Sequence, residues 1–305
     1  MTGAAASTLV IERDAPISTW YRIGGRADRL ARPATLDDLR HCLDLDADLR
    51  ILGAGANLLV DDEGVGALVV SLAQGEFRDV VVDESGPDLV VGAGVDLRRL
   101  ISDTTRMGLA GLERLGGIPA TVGGAIRMNA GGAWGEIGDV IDSVRALRRD
   151  GDEVILSRPE IDFAYRASGL DDLLIVGARL RLRREDPGEI RRRLLRIMEA
   201  KGASQPMGQR SAGCAFRNPT LKADLDGVGR AGQRISAGLL IDRAGLKGLA
   251  VGGATVSAAH ANFIVAEPGR ARARDVIELM DLVRRRVADR FGVALEPEVV
   301  IWSRR

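Results

Sequence analysis

The sequence has no apolar run approaching the roughly 18 to 20 residues that cross a bilayer, so no membrane helix is expected. Its first ten residues carry neither a basic stretch nor a long apolar core, and no secretory signal is read there. Net charge is absent as well, because 43 basic residues balance 43 acidic ones. A balanced chain has no global field to gather nucleic acid, and none is expected as a partner. Lysine is nearly missing: Lys201, Lys222 and Lys247 are the only three among the basic residues, the rest being arginine. We read that as compositional bias of the source genome, not as an RNA-binding signal. Only Cys42 and Cys214 are present, far apart and in unlike surroundings, which excludes a disulfide framework and a CxxC metal pattern. His41 and His260 are the only histidines and are equally distant, so no metal site is expected. A cytoplasmic location is the default expectation. Asparagine occurs four times, at Asn57, Asn129, Asn218 and Asn262, each in a short glycine- or aromatic-flanked segment. In a chain so poor in amides, a retained asparagine carries extra weight.

What is present describes an ordinary globular protein. The 305 residues are 46% hydrophobic and 28% charged, which at about 150 residues per domain suggests two domains. Thr35 followed by Asp38 reads as a helix start, the helix running to about residue 45. A second helix is expected over 96–107, closed by Gly108, and a third over about 188–200 with Ile190, Leu194, Ile197 and Met198 as its apolar stripe. The arginines Arg191, Arg192, Arg193 and Arg196 read as that helix's solvated face. A strong amphipathic helix is expected over 271–291, with Val276, Leu279, Met280, Val283, Val287 and Phe291 on one side. Short strands are expected at 49–52, 67–71, 80–82, 89–91, 173–176, 178–182 and 299–302, and a hairpin around Asp150-Gly151. Strands and helices mix without a βαβ rhythm, which makes the class α+β. The segment 202–211, rich in Gly, Ser, Gln and Pro, is the best boundary candidate.

Five segments carry chemistry. Gly53-Ala54-Gly55-Ala56-Asn57-Leu58 follows a strand, yet Leu58 at the sixth position departs from the dinucleotide fingerprint and no Walker lysine follows. Its main chain could still approach an anion such as a pyrophosphate, or serve as a plain turn. Between Gly116 and Gly132, glycine fills 6 of 17 positions. Absent Cβ atoms admit a large flat cofactor, and Ile118, Pro119, Val122, Ile126 and Met128 are too apolar for a flexible tether. Tyr165-Arg166 offers a phenol and a guanidinium fork for a carboxylate or phosphate, or equally a surface arginine beside a packed tyrosine. Gly213-Cys214 places a thiol between small residues, as an acid, a nucleophile or a buried filler. Glu296-Pro297-Glu298 offers two acids before the last expected strand, of which at most one is expected to face a given site.

Taken in order, these segments resemble one family, the UDP-N-acetylenolpyruvoylglucosamine reductases of peptidoglycan precursor synthesis, in its compact type. The resemblance spans roughly residues 17–302. It rests on Thr19-Trp20-Tyr21-Arg22-Ile23-Gly24-Gly25, the 53–58 loop, Gly117-Ile118-Pro119-Ala120-Thr121-Val122-Gly123-Gly124-Ala125 and Met128-Asn129-Ala130-Gly131. It continues through Tyr165-Arg166-Ala167-Ser168, Gly213-Cys214-Ala215-Phe216-Arg217-Asn218-Pro219, Ala237-Gly238-Leu239-Leu240-Ile241, Ala259-His260-Ala261-Asn262-Phe263 and Glu296-Pro297-Glu298-Val299. The resemblance implies an FAD-binding fold of the vanillyl-alcohol-oxidase type in two subdomains (14–75 and 76–190), then a C-terminal α+β substrate domain (203–305). It implies bound FAD held by Gly53, Ala54, Gly55, Ala56, Asn57, Leu58, Gly117, Ile118, Pro119, Thr121, Gly123, Gly124 and Asn129. NADPH would be the hydride donor and UDP-N-acetylglucosamine enolpyruvate the substrate, met by Tyr165, Arg217 and Asn218. Arg166, Cys214 and Glu298 would be catalytic, with Cys214 delivering a proton, and a monomer is expected. Most members place serine where this chain has Cys214, and serine where it has Ala56; Ala259 and Ala266 stand where lysine and asparagine are frequent. The competing expectations are an FAD oxidase or dehydrogenase of another sugar or alcohol, and a non-catalytic binder of flavin or a UDP-sugar.

Overall fold

The computed structural model describes residues 9–83 and 86–304. Residues 1–8 of the stretch read for a signal lie outside the described residues. The chain divides into two units: Met1–Ala15, Ala27–Ala54 and Gly66–Ala200 form the first, and Pro16–Arg26, Gly55–Val65 and Lys201–Arg305 the second. Both mix antiparallel sheet with helices, the α+β class.

In the first unit, helix α1 (Leu36–Leu45) begins at the expected capping box. Thr35 Oγ1 accepts the Asp38 N–H at 3.1 Å, and Asp38 returns the bond to the Thr35 N–H at 3.3 Å. Leu36, Leu39, Cys42 and Leu43 face the core, and His41 is exposed. Helix α2 (Leu97–Arg106) is capped by Asp96, which accepts the Arg99 N–H at 2.9 Å. A five-stranded antiparallel sheet runs Glu153–Ser157, Ile141–Leu147, Leu174–Leu180, Leu89–Gly92, Val80–Val82 in spatial order. Its first hairpin turns at Gly151, whose φ is +88°. The two strands expected over 173–182 are one, Leu174–Leu180. Gly177 looked like a break, but it lies opposite Gly92 on one side and Arg145 on the other, so the ladder carries the strand through it.

The glycine-rich stretch contains an unforeseen short helix, α3 (Val122–Arg127), capped by Thr121, whose Oγ1 accepts the Gly124 N–H at 3.2 Å. Helix α4 (Pro187–Ser204) extends past residue 200. Its Met198 is exposed despite the expected stripe, and its Arg193 is not on a solvated face. That guanidinium reaches Glu113, which is 1% exposed.

The second unit has its own core around helices α5 (Ala237–Arg243) and α6 (Ala273–Phe291). Val276, Leu279, Met280, Val283 and Val287 are buried as the helical period requires. Burial of such side chains stabilises by roughly 1.5–3 kcal/mol each. Gly292 ends α6 in the left-handed region, φ +66°. Its first turn is held by Asp62, which accepts the Ala273 and Arg274 N–H groups at 2.9 and 3.1 Å. A three-stranded antiparallel sheet (Ala250–Val251, Ala254–Val256, Ile264–Ala266) packs on α6. The closing strand Val300–Trp302 pairs in parallel with Leu58–Val60. Residues 55–65 thus belong to the second unit through both a strand and a helix cap.

Candidate active site

Four stretches of the first unit enclose a cavity of about 130 Å³: Leu52 and Gly53, Leu72 and Ala73, Ala93 and Gly94, and Thr121 with Gly123 and Gly124. Glycine, alanine, serine and threonine make up much of its wall, and Ile51, Leu52, Leu72, Ile175 and Arg127 complete it. A Cβ on Gly53 would stand 2.9 Å from Thr121 Oγ1, and one on Gly123 would stand 2.9 Å from the Ala93 Cβ. Such a cradle suits close approach of a dinucleotide, and its volume takes one part of FAD rather than the whole. At the edge, Arg127 donates to the carbonyls of Leu170 and Leu173. Burial lowers its pKa, and Asp171 opposes that shift. Gly117, at φ +77°, starts a half-buried run through Ile118, Pro119 and Thr121.

The 53–58 motif is shared out. Gly53 and Ala54 belong to the first unit, whereas Gly55, Ala56, Asn57 and Leu58 belong to the second. Gly55 has φ +62°, and a Cβ there would meet the Ser18 carbonyl at 2.2 Å. Only glycine fits this close approach.

Tyr165 and Arg166 sit at the corners of a tight turn. Ala164 and Ala167 exchange main-chain bonds of 2.9 and 3.1 Å, and Arg166 occupies the left-handed region at φ +59°. A non-glycine residue there costs of order 1 kcal/mol or more, and such strain clusters at functional sites. The Arg166 guanidinium lies 5.2 Å from the Tyr165 ring centroid, and its Nη1 donates to the Gly131 carbonyl at 3.0 Å.

In the second unit, Cys214 lies on extended chain between two distant segments. On one side Cys214 opposes Phe263, and the Ala215 N–H donates to the Asn262 carbonyl at 2.7 Å. On the other, Phe216 opposes Pro297, the Glu298 N–H donates to the Ala215 carbonyl and the Arg217 N–H to the Glu296 carbonyl, each at 2.9 Å. Cys214 is half-buried. Glu298 buries its Oε2 while Glu296 is exposed; residues two apart on extended chain share a face, so local surroundings and not strand alternation set this difference. Arg217 and Asn218 follow on the same segment, and Asn218 Oδ1 accepts the Ala237 N–H at 2.9 Å, where α5 begins. The other thiol, Cys42, is fully buried, and burial followed by Asp38 pushes it up to about 11. His260 is held low, chiefly by burial, and its Nδ1 accepts the Asn262 N–H at 3.2 Å.

Comparison with known proteins shows the family. Residues 27–157 match the FAD binding domain model, and residues 205–302 match the C-terminal domain model of UDP-N-acetylenolpyruvoylglucosamine reductase. The reductase of Desulfosudis oleivorans is 41% identical over 95% of this chain and 94% of its own length. That of Moorella thermoacetica is 40% identical over 99% and 95%. The chain belongs to the UDP-N-acetylenolpyruvoylglucosamine reductase family. The crystal structure of the family's enzyme from Thermus caldophilus superimposes with a TM-score of 0.80 at 39% identity, covering 96% of this chain and 99% of that one. Family membership makes the chain an FAD-dependent oxidoreductase, with an FAD-binding domain followed by the reductase C-terminal domain.

Some residues around the reductase segments gave no sequence signal. Glu113 accepts the Gly111 N–H at 2.5 Å and the Arg193 Nε–H at 3.1 Å, with Arg193 Nη2 at 3.0 Å as an ion pair, while Arg193 also reaches Glu185 at 2.7 Å. The helical turn Leu112–Leu115 that this pair anchors leads directly into Gly116 and Gly117. A lone arginine in an arginine-rich helix cannot be told from its neighbours by spacing. Asn262 drew notice by scarcity and by its place in the 259–263 segment, neither of which showed what its amide would grip.

Proposed function

We propose that this chain reduces UDP-N-acetylglucosamine enolpyruvate to UDP-N-acetylmuramate, with NADPH as the electron source. FAD, when bound, would supply the two-electron redox chemistry that links NADPH to the enolpyruvyl group, whose vinyl carbon C3 is the hydride acceptor. The main chain of Gly53, Ala54, Gly55, Ala56, Asn57 and Leu58, and of Gly117, Ile118, Pro119, Thr121, Gly123, Gly124 and Asn129, would hold that cofactor, and Gly53, Thr121, Gly123 and Gly124 already line the cavity of the first unit. Arg217 and Asn218 bind the substrate diphosphate, and Tyr165 lines the substrate side.

Charge is the chemical problem. When C3 gains hydride, negative charge builds at C2 and its carboxylate. Arg166 stabilises that charge with a guanidinium already fixed on a strained turn. Glu298 assists in its protonated form. Cys214 gives its Sγ proton to C2, which completes the lactyl group, and the thiolate regains a proton from solvent. The observation that supports this reading is the register linking the Cys214 segment to the Glu298 segment, in which the Glu298 N–H bonds the carbonyl of Ala215, the residue after Cys214.

The test is optical. Purified protein should be yellow, bleach with NADPH, and recover its colour with UDP-N-acetylglucosamine enolpyruvate as the lactyl product appears. Bleaching without recovery, or recovery only with another sugar or alcohol, refutes the proposed substrate. A protein that takes up flavin but does not oxidise NADPH in the presence of the substrate is a non-catalytic binder.

A further inference from the structure

Three of the four asparagines direct their side-chain amides at main chain that carries a proposed catalytic group. Asn262 is 2% exposed and forms a two-bond match with the peptide of Phe216: Oδ1 accepts its N–H at 3.0 Å and Nδ2 donates to its carbonyl at 2.8 Å. Phe216 lies two residues beyond Cys214. Asn129 is 1% exposed, its Oδ1 accepting the Gly138 N–H at 3.2 Å and its Nδ2 donating to the Ala164 carbonyl at 3.1 Å. Ala164 opens the turn on which Arg166 is strained. Asn57 donates from Nδ2 to the carbonyl of Glu298 itself at 3.0 Å, and its own carbonyl accepts the Val300 N–H at 3.0 Å.

We infer that Asn57, Asn129 and Asn262 are positioning residues, amide clamps that fix the main chain bearing Glu298, Arg166 and Cys214 respectively. The inference rests on the proposed reaction for its kinetic consequence, but not for its geometry. Asn129 and Asn262 each require a donor and an acceptor on one short planar group, which asparagine supplies and aspartate, serine or leucine does not. Asn129 also sits at φ +39°, where asparagine is tolerated better than most residues. Both polar side-chain atoms of Asn129 are engaged inside the protein, which leaves its main chain, not its amide, to face the cofactor.

Asn129→Asp and Asn262→Asp keep shape but turn the donor into an oxygen facing a carbonyl. Each should lower kcat by about 100-fold, the scale of a misplacement of about 1 Å, with KM changed less than about threefold and full flavin loading. Asn129→Gly, which relieves the left-handed backbone but lacks the amide, should remain as slow as Asn129→Asp. Two further readouts do not need turnover. Alkylation of Cys214 by iodoacetamide should change at least severalfold in Asn262→Asp, and in the unaltered protein the Phe216 amide should exchange with solvent slowly. Wild-type kcat in both aspartate variants, or an unchanged Cys214 alkylation rate in Asn262→Asp, overturns the inference. Fast Phe216 exchange overturns it as well, even if neither variant folds. If the unaltered protein does not turn over the proposed substrate, the thiol and exchange measurements still decide the clamp, and only the proposed function fails.

Discussion

Replacing Arg193 with alanine leaves Glu113 buried with its charge and one remaining donor, the Gly111 N–H. One hydrogen bond from Arg193 Nε, at 3.1 Å, and an ion-pair contact from Nη2, at 3.0 Å, disappear, both to the same carboxylate oxygen. Breaking a buried ion pair by removing one partner costs about 3–5 kcal/mol, and the low end applies because the Arg193 side chain is 37% exposed. The expected loss is therefore about 3 kcal/mol. In the unit that holds the pair, that lowers the melting temperature by about 6–12 °C. Arg192→Ala is the control, since among the described residues Arg192 pairs within its own helix with exposed Glu189 and should cost no more than about 0.5 kcal/mol. The assay is thermal melting of the flavin-loaded proteins side by side, with free flavin released at 25 °C as a second readout, because the Leu112–Leu115 turn feeds Gly116 and Gly117. Equal melting temperatures for the two variants would refute the reasoning.

Three further predictions follow from the same geometry. Cys214→Ala should remove most turnover while flavin stays bound, and in the unaltered protein turnover should fall with rising pH as the thiol ionises, a limb that moves to higher pH in Cys214→Ser; near-normal product formation by Cys214→Ala would exclude the thiol as proton donor. Gly53→Ala places a Cβ 2.9 Å from Thr121 Oγ1, the cap of α3, and should weaken flavin binding about tenfold, or about 1.4 kcal/mol, in a flavin titration; unchanged affinity would remove Gly53 from the cradle. His260 has its pKa lowered in the fold, mainly by burial, so the unfolded chain binds more protons and stability is lost as pH falls below about 6.5. His260→Gln should flatten that part of the stability profile between pH 7.5 and 5.5 in urea unfolding, and an identical slope would contradict the assignment.

Local patterns proved legible where near neighbours decide the outcome. The Thr35 box and the α6 stripe depend on residues three or four apart, and these stand where the spacing placed them, while the helix expected over 96–107 runs Leu97–Arg106 with Asp96 as its cap. The ordered set of glycine-rich and polar segments also identified the family, because close main-chain approach leaves a mark on residue choice. Strand continuity through Gly177 was not legible, since ladder bonds from two partners hold a glycine that local preference would bend. Nor was α3, where a threonine cap and burial of Val122, Ala125 and Ile126 outweigh two adjacent glycines.

From residues alone came the class, the family, the list of segments and the scarcity of asparagine that set four positions apart. Tertiary structure decided the rest: that residues 55–65 pair with the last strand and cap α6, that Arg193 among many arginines meets a buried acid, and that three asparagines grip distant main chain. The reason is range. Helix caps and periodicity are set within one or two turns, whereas a hydrogen bond between residues 46 or 241 positions apart exists only once packing has brought its two ends together, and nothing in the intervening chain records it.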